Sequence, residues 1–288
     1  MSKQKKADAI LCGDIHLRED TPVCRTDDFL AAQWKKLTFI SELQIQHNCP
    51  ILCSGDLFDN AKPSLWLVSM VSKMIPSNFH TVYGNHDLPN HSMKEQEKCG
   101  VFNLWINGKI KVLDGVHFNQ TPEEPSITIK GRKILVWHVM TYKSELPYPG
   151  CTDLKARSIL HKYPEYSMIL TGDNHQPFTQ EYRGRLLVNP GSMMRQTADQ
   201  INYKPAVWLY YADTNTVEPV YLPIEKGVVT REHLDVLVEK ENRIMAFIET
   251  LNREGLDFVN FKQNLKVFFQ RNDVDQKVKD IVHEMIEE

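Results

Sequence analysis

The chain of 288 residues is 42% hydrophobic and 25% charged, which allows the buried core of one large soluble domain or two modest ones. Its net charge of −3 excludes a basic nucleic-acid-binding block of the usual kind, so any grip on a polyanion must come from local patches or metal ions. The sequence has no apolar stretch near about 18 residues and no signal-peptide pattern, so we expect a cytoplasmic protein with reduced cysteines.

Short runs typical of β-strands alternate with helical segments over the first 224 residues. Strands are predicted over residues 8–12, 50–53, 79–82, 109–113, 126–130, 133–137, 167–171, 185–188, 206–211 and 217–222. Helices are predicted over residues 29–46, 64–75 and 152–163, and Ser92 to Glu95 has the form of a capping box. This order predicts an α/β domain whose strands form two packed sheets.

The sequence pattern changes at about Glu225. Residues 231–253 and 273–288 repeat apolar residues at helical spacing, with Asp273 and Gln276 as a possible cap pair, whereas 258–270 fits either a strand or a helix. Residues 225–288 hold 10 basic and 14 acidic residues, against 24 and 23 in the rest of the chain. We predict a main domain over 1–224 and a small, mainly helical C-terminal segment over 225–288.

Polar clusters follow the apolar runs of five predicted strands. They are Gly13-Asp14-Ile15-His16, Gly55-Asp56-Leu57-Phe58-Asp59, Gly84-Asn85-His86-Asp87, the single His138, and Gly172-Asp173-Asn174-His175. Each cluster alone is compatible with an ordinary turn, and a single histidine is compatible with a hydrogen-bonded core residue. Together they place Asp, His and Asn at the carboxyl ends of strands, where α/β sheets bind ligands, and so indicate a metal site.

The order of these motifs resembles that of the calcineurin-like metallophosphoesterases over about residues 8–224. The resemblance implies a four-layer αββα sandwich of two sheets and a pair of divalent ions, Mn²⁺ with Fe²⁺ or Zn²⁺ as alternatives. It implies that one ion is held by Asp14, His16 and His175, that Asp56 bridges both ions, and that Asn85 and His138 hold the second. It also implies that His86 acts beside the scissile phosphate and that Asp59 orients it.

One position departs from the family pattern. Members of the family usually have a histidine where this chain has Asp173. We predict that Asp173 is a carboxylate ligand of the second ion, which would favour a hard ion such as Mn²⁺. The alternative is that the position is no longer a ligand and that the second ion binds weakly.

The stretch Gly-Asp-Leu-Phe-Asp-Asn-Ala-Lys-Pro-Ser over residues 55–64 is similar to the SbcD-type DNA-repair nucleases, as is Asn-Pro-Gly-Ser over 189–192. This resemblance implies an Mn²⁺-dependent DNA exonuclease or endonuclease in repair or recombination, with an SbcC-type ATPase as partner. On that interpretation residues 225–288 are a reduced cap, a dimer element or an ATPase dock, although their apolar faces also fit simple packing.

Two other classes of function remain open. One is a small-substrate phosphatase or cyclic-nucleotide phosphodiesterase that uses the same site. The other is a non-catalytic scaffold that binds proteins.

Overall fold

The computed structural model describes residues 5–114, 117–118, 120–122, 126–144, 153–234, 239–240, 242–246 and 261–287. The chain divides into two compact units, Met1–Thr230 and Arg231–Glu288. Within the described residues no helix is both long and apolar enough to cross a bilayer.

Two β-sheets form the centre of the first unit. The strands in chain order are β1 (Ala9–Cys12), β2 (Ile51–Cys53), β3 (Phe79–Thr81), β4 (Lys111–Val112), β5 (Ile127–Ile129), β6 (Arg132–Trp137), β7 (Thr141–Tyr142), β8 (Leu154–Lys155), β9 (Met168–Thr171), β10 (Phe178–Tyr182), β11 (Arg185–Asn189), β12 (Ala206–Tyr211) and β13 (Thr216–Tyr221). One sheet has the order β13-β12-β1-β2-β3-β4 and the other β10-β11-β9-β6-β5, while β7 and β8 form a separate pair. Strands β1 to β4 run parallel, as do β6, β9 and β11, so each group ends at one edge of its sheet.

The helices of the first unit are α1 (Phe29–His47), α2 (Leu65–Met74), α3 (Gly100–Ile106) and α4 (Ala156–Lys162). Side chains cap the first two: Asp28 Oδ1 accepts the Ala31 amide at 2.9 Å, and Ser64 Oγ accepts the Leu67 amide at 3.0 Å. Helix α1 ends at Asn48, which adopts the left-handed conformation common at helix ends. The second unit contains α5 (Phe261–Arg271) and α6 (Gln276–Glu287).

Strand alternation distributes the apolar side chains over three core layers. Ile10 in β1 packs in the layer shared with α1 to α3, whereas its neighbour Leu11 packs in the layer between the two sheets. In β6, Val136 joins the layer between the sheets, and Leu135 packs in a third layer with Ile159 of α4. Helices therefore cover the outer faces of two packed sheets, which confirms the predicted αββα sandwich.

The capping box predicted at Ser92 is wrong. The Ser92 side chain makes no capping hydrogen bond, and a 3-10 helix covers Met93–Lys98. The physical reason lies in Glu95, whose carboxylate accepts from Asn90 Nδ2 at 2.9 Å and from Lys98 Nζ at 3.0 Å. It therefore does not reach back to the Ser92 amide, as a capping box requires.

Other differences concern element boundaries. The helix predicted over 152–163 is shorter, because Leu154 and Lys155 form β8, and residue 152 lies outside the described residues. The ambiguous stretch 258–270 is helical in its described part. The helix predicted over 231–253 is helical at 232–234, 239–240 and 242–246, and residues 235–238, 241 and 247–253 lie outside the described residues. Helix α6 begins later than predicted, and the carboxylate of Asp275 accepts the Lys277 amide at 2.8 Å.

Candidate metal centre

The loops after β1 and β2 interlock at the carboxyl edge of the six-stranded sheet. The amide of Asp14 donates to the carbonyl of Gly55 at 3.1 Å, and the amide of His16 donates to the carbonyl of Asp56 at 2.9 Å. Asp14, His16 and Asp56 all have positive φ angles, of 47°, 49° and 52°, and Asp173 shares this feature with 69°. Four non-glycine residues in a sparsely populated backbone region mark the carboxyl ends of β1, β2 and β9 as a functional candidate.

Asp56 lies at the centre of the converging side chains. Its Oδ2 is 3.6 Å from His16 Nε2 and 3.5 Å from His138 Nε2, and its Oδ1 accepts the main-chain amide of His86 at 2.9 Å. The carboxylate is almost fully buried. One oxygen is therefore fixed by the protein, while the other faces histidines from two different loops, as a bridging carboxylate requires.

A first group of donor atoms comes from Asp14, His16 and His175, which lie within 4.8 Å of one another. The two imidazole Nε2 atoms are 3.2 Å apart. Asp14 Oδ1 accepts the Asp173 amide at 3.0 Å, but its buried Oδ2 has no hydrogen-bond partner. Such an orphaned carboxylate oxygen beside two imidazole nitrogens fits a cation site.

A second group forms around His138. Its Nδ1–H donates to the carbonyl of Ser54 at 2.7 Å, which leaves a lone pair on Nε2 when the ring is neutral. That Nε2 is 2.8 Å from Asn85 Oδ1 and 3.9 Å from Asp173 Oδ1. Because these atoms are acceptors that converge with Asp56, the arrangement again fits a bound cation.

Burial shifts the ionisation of these groups in opposite directions. Burial, reinforced by the charges of Asp56 and Asp173, raises the pKa of Asp14 to about 7, and burial raises the pKa of Asp56 well above its usual range. Burial also lowers the pKa of His16 to about 4 and lowers that of His175. Protein groups alone thus leave carboxylates poorly stabilised next to neutral imidazoles, and divalent cations would compensate that charge.

The contact between His86 and Asp59 differs from the expected one. His86 Nδ1–H donates to the main-chain carbonyl of Asp59 at 2.9 Å, rather than to its carboxylate. The carboxylate instead pairs with Arg18, with Nη1 to Oδ2 at 3.1 Å, and lies 3.5 Å from His16 Nδ1. The sequence motif predicts that Asp59 lies next to His86. It does not predict whether the carbonyl or the carboxylate of Asp59 accepts the hydrogen bond from the imidazole.

Asp87 is a residue of the site to which sequence reasoning assigned no role. Its buried carboxylate accepts three main-chain amides, those of Gly84 at 3.0 Å, Phe58 at 3.1 Å and Leu57 at 3.3 Å. It thereby ties the loop after β2 to the loop after β3. Gly84 is needed for the same approach, since a Cβ there would lie 2.0 Å from Asp56 Oδ1. The closing Asp of Gly-Asn-His-Asp was the available signal.

The sequence matches the model of one known protein family. The family model of the calcineurin-like phosphoesterase superfamily domain matches residues 8–207. The chain belongs to the calcineurin-like phosphoesterase superfamily. The donor atoms that converge in its site are of the kinds that suit divalent metals. A search of curated proteins found no match.

Several solved structures are similar in fold. A novel archaeal phosphodiesterase is 14% identical, with 74% of this chain and 99% of that chain covered and a TM-score of 0.43. Vps29 from Entamoeba histolytica complexed with zinc is 15% identical, with 74% and 97% covered and a TM-score of 0.36. A putative 5'-nucleotidase from Staphylococcus aureus is 14% identical, with 81% and 58% covered and a TM-score of 0.45. At these identities the similarities identify no substrate for this chain.

Proposed function

We propose that this phosphoesterase is an Mn²⁺-dependent DNA nuclease that hydrolyses phosphodiester bonds in DNA repair or recombination. The observation that supports it is an open hollow beside the metal centre, with His86 in its wall. Lys62, Asn60 and His91 also line it and offer groups suited to a phosphate backbone. The carboxylate of Asp59, also in the wall, is paired with Arg18, which binds Asp20 as well.

The residues that would hold the ions follow from the two donor groups. Asp14, His16 and His175 would hold one ion, Asp56 would bridge, and Asn85, His138 and Asp173 would hold the other. When bound, a pair of divalent ions supplies a metal-activated hydroxide at neutral pH and offsets charge on the phosphoryl oxygens. Asp173 in place of a histidine adds a hard oxygen ligand, which supports Mn²⁺ as the metal.

His86 carries the proton chemistry that the chain itself contributes. The hydrogen bond from Nδ1 to the Asp59 carbonyl fixes the ring and leaves Nε2 available to the substrate. A protonated Nε2 donates to the leaving oxygen or to the charged phosphoryl group as the ester bond breaks. The amide of His86, bound to Asp56 Oδ1, holds the same residue against the bridging carboxylate.

The test compares substrates with Mn²⁺ present. Linear double-stranded and single-stranded DNA, bis-p-nitrophenyl phosphate, cyclic nucleotides and phosphomonoesters are assayed with wild type and His86→Gln. We expect DNA cleavage by wild type and a loss of about 100- to 10,000-fold in His86→Gln, with two metals retained. His80→Gln is the matched control, because His80 bonds Asn78 rather than any residue of the site.

Two outcomes would contradict the nuclease. Turnover of phosphomonoesters or cyclic nucleotides without DNA cleavage would favour the small-substrate enzyme. Inactivity on every substrate, together with no bound metal by elemental analysis, would favour the protein-binding scaffold.

The proposal extends to a partner, an SbcC-type ATPase bound by residues 225–288. Helix α6 supports it, because Val278 and Ile281 on this helix are 45% and 52% exposed. Size-exclusion chromatography with light scattering should show a complex with a purified ATPase of that type, and Val278→Ser/Ile281→Ser should abolish it. A homodimer that the same variant dissolves would instead identify the surface as a self-association site.

A further inference from the structure

A basic surface lies where α4 covers the edge strand β10. An open hollow lies there, lined by Lys155, Arg157, Ser158, His161 and Tyr182. None of these lining residues is acidic. The net charge of the chain is −3, so this surface is a local concentration of positive charge. We call these lining residues, together with Arg183 and Arg185, the Tyr182 patch.

Three guanidinium groups surround the Tyr182 ring. The Cζ atoms of Arg157, Arg183 and Arg185 lie 5.2, 5.3 and 5.5 Å from the ring centroid, and the His161 ring centroid is 6.2 Å away. Guanidinium groups held over an aromatic ring remain able to bind phosphate oxygens through their N–H edges. The combination of an aromatic ring and clustered arginines is typical of surfaces that bind single-stranded nucleic acid.

The three arginines differ in what they already bind. Arg185 donates from Nη1 to the carbonyl of Leu160 and, at 3.3 Å, to that of Tyr163, so it holds the end of α4 on the sheet. Arg157 and Arg183 take part in none of the ion pairs found among the described residues. Their charge is therefore available to a ligand.

The nearest acidic neighbour in sequence points to the other side of the sheet. Glu181 precedes Tyr182 in β10, and successive side chains of a strand face opposite ways. Tyr182 and Phe178 pack against the layer beneath α4, which places Glu181 on the opposite face. The patch thus keeps its positive charge uncompensated by its own strand.

Strand β10 connects the loop that carries His175 to the patch. It begins at Phe178, three residues after His175, and ends at Tyr182. Four residue steps of about 3.4 Å make β10 roughly 14 Å long. At about 3.4 Å per nucleotide along one strand, as in B-DNA, that length corresponds to about four nucleotides.

We propose that the Tyr182 patch is an accessory binding site for single-stranded DNA, several nucleotides from the bond that is cleaved. Arg157, Arg183 and Lys155 bind successive phosphates, and an unpaired base packs against Tyr182 and His161. The assignment of the ligand as a polynucleotide rests on the proposed nuclease function, whereas the site itself rests on the geometry of the patch.

The test variant is Lys155→Gln/Arg157→Gln/Arg183→Asn. It leaves Arg185 in place because that residue supports the fold, and asparagine tolerates the positive φ of 52° at position 183. The matched control, Lys109→Gln/Lys111→Gln/Lys226→Gln, removes the same number of exposed positive charges elsewhere. Both are compared with wild type by fluorescence anisotropy, with a labelled oligonucleotide of about 30 nucleotides and EDTA present.

We expect the patch variant to raise the Kd for the oligonucleotide at least about 10-fold and the control less than about 2-fold. The slope of log Kd against log salt should fall by about 2 in the patch variant, since each lost phosphate contact in a single strand contributes about 0.7. Hydrolysis of bis-p-nitrophenyl phosphate should be the same in all three proteins, because this small diester does not reach the patch.

Equal Kd values in the patch variant and the control would overturn the proposal, even if wild type cleaves DNA. An equal loss of affinity for heparin and DNA in the patch variant would also overturn it, because it would show general polyanion attraction. Binding is measured without metal, so a failure of the nuclease proposal, seen as no DNA cleavage with Mn²⁺, is recorded separately.

Discussion

Two buried charged clusters of opposite sign lie on either side of Met193. The amide of Met193 donates to the carbonyl of Asp14 at 3.1 Å, and its carbonyl accepts from Lys36 Nζ at 2.7 Å. On one side are the carboxylates of the metal centre. On the other is a basic cluster of Lys36, Arg25 and Arg195, which are only 3%, 8% and 5% exposed.

The basic cluster is satisfied mainly by the protein itself. Arg25 binds both carboxylate oxygens of Asp27, at 2.8 and 2.6 Å, and donates to the carbonyl of Arg195 at 3.0 Å. Arg195 donates to the carbonyls of Ile201 at 3.2 Å and Glu225 at 2.7 Å. These cations hold loops together, so their role is to stabilise the fold.

Two carboxylates of the acidic cluster each keep one oxygen without such a partner. Asp14 Oδ2 is buried without a hydrogen bond, and Asp56 Oδ2 faces imidazole nitrogens more than 3.4 Å away. The contrast separates two uses of buried charge: charge paired within the chain supports the fold, and charge left unpaired indicates a ligand from outside. Substitutions in the two clusters should therefore have different readouts.

The largest expected effect is that of Asp56→Asn. Losing this carboxylate, which we propose to bridge the two ions, should lower phosphodiester hydrolysis by about 1,000-fold or more and reduce bound metal, because metal stabilisation of the reacting phosphoryl group is worth several kcal/mol. Without metal, the same variant should melt at a higher temperature than wild type, since it removes a buried, uncompensated charge. Elemental analysis measures the bound metal, and calorimetry measures the melting temperature. A metal-free Asp56→Asn variant less stable than metal-free wild type would contradict the expected difference between the two clusters.

The next effect concerns Asp173. Asp173→Ala should reduce the metal content from two ions to one and lower turnover about 10- to 100-fold, because the second group loses an oxygen ligand. Asp173→His, which restores the residue usual in the family, is the control and should keep two ions. An Ala variant with two metals and full turnover would show that Asp173 is not a ligand.

Lys36→Met tests the opposite cluster through stability. Burial, with the charges of Arg25 and Arg195, lowers the pKa of Lys36 from 10.5 to about 7. Between those pH values the unfolded chain binds the extra proton, so the free energy of unfolding of wild type rises with pH. In wild type this rise amounts to up to roughly 4 kcal/mol. The Lys36→Met variant should lack the rise and keep its activity.

The exposed neighbour Lys35, which pairs with Glu225 at 3.3 Å, provides the control as Lys35→Met. Chemical denaturation at pH 7 and at pH 10 gives the comparison. If Lys36→Met keeps the pH dependence of wild type, burial of the Lys36 amine is not the cause of that dependence.

The same contrast explains how far the sequence predicted the site. Asp14, Asp56 and His138 were identifiable because each follows an apolar strand, and the residues that bind a metal must meet at strand ends. The partners of Asp59 and the amides held by Asp87 were not, because they depend on how two loops fold against each other. A motif specifies residue types, whereas the choice of carbonyl or carboxylate is made by tertiary packing.

Secondary structure shows the same limit. Strands β1 and β9 are buried on both faces and read as continuous apolar runs, so they were predicted. Strand β10 was missed because its Phe-Thr-Gln-Glu-Tyr sequence lies half-buried at a sheet edge and has no apolar run. The wrong cap at Ser92 arose from Glu95 binding Lys98 and Asn90, which local spacing does not reveal.

The smallest expected effect is that of Asp59→Asn, a carboxylate at the metal centre that resembles the paired charges instead. Burial raises its pKa, but the nearby His16 ring and the charge of Arg18 lower it overall. The carbonyl that accepts from His86 remains in the variant, so turnover should fall only a few-fold and metal content should not change. Loss of the ion pair with Arg18, which is partly exposed, should cost about 1 kcal/mol or less in the free energy of unfolding. A loss of activity as large as that of His86→Gln would show that the carboxylate, and not the carbonyl, orients the imidazole during catalysis.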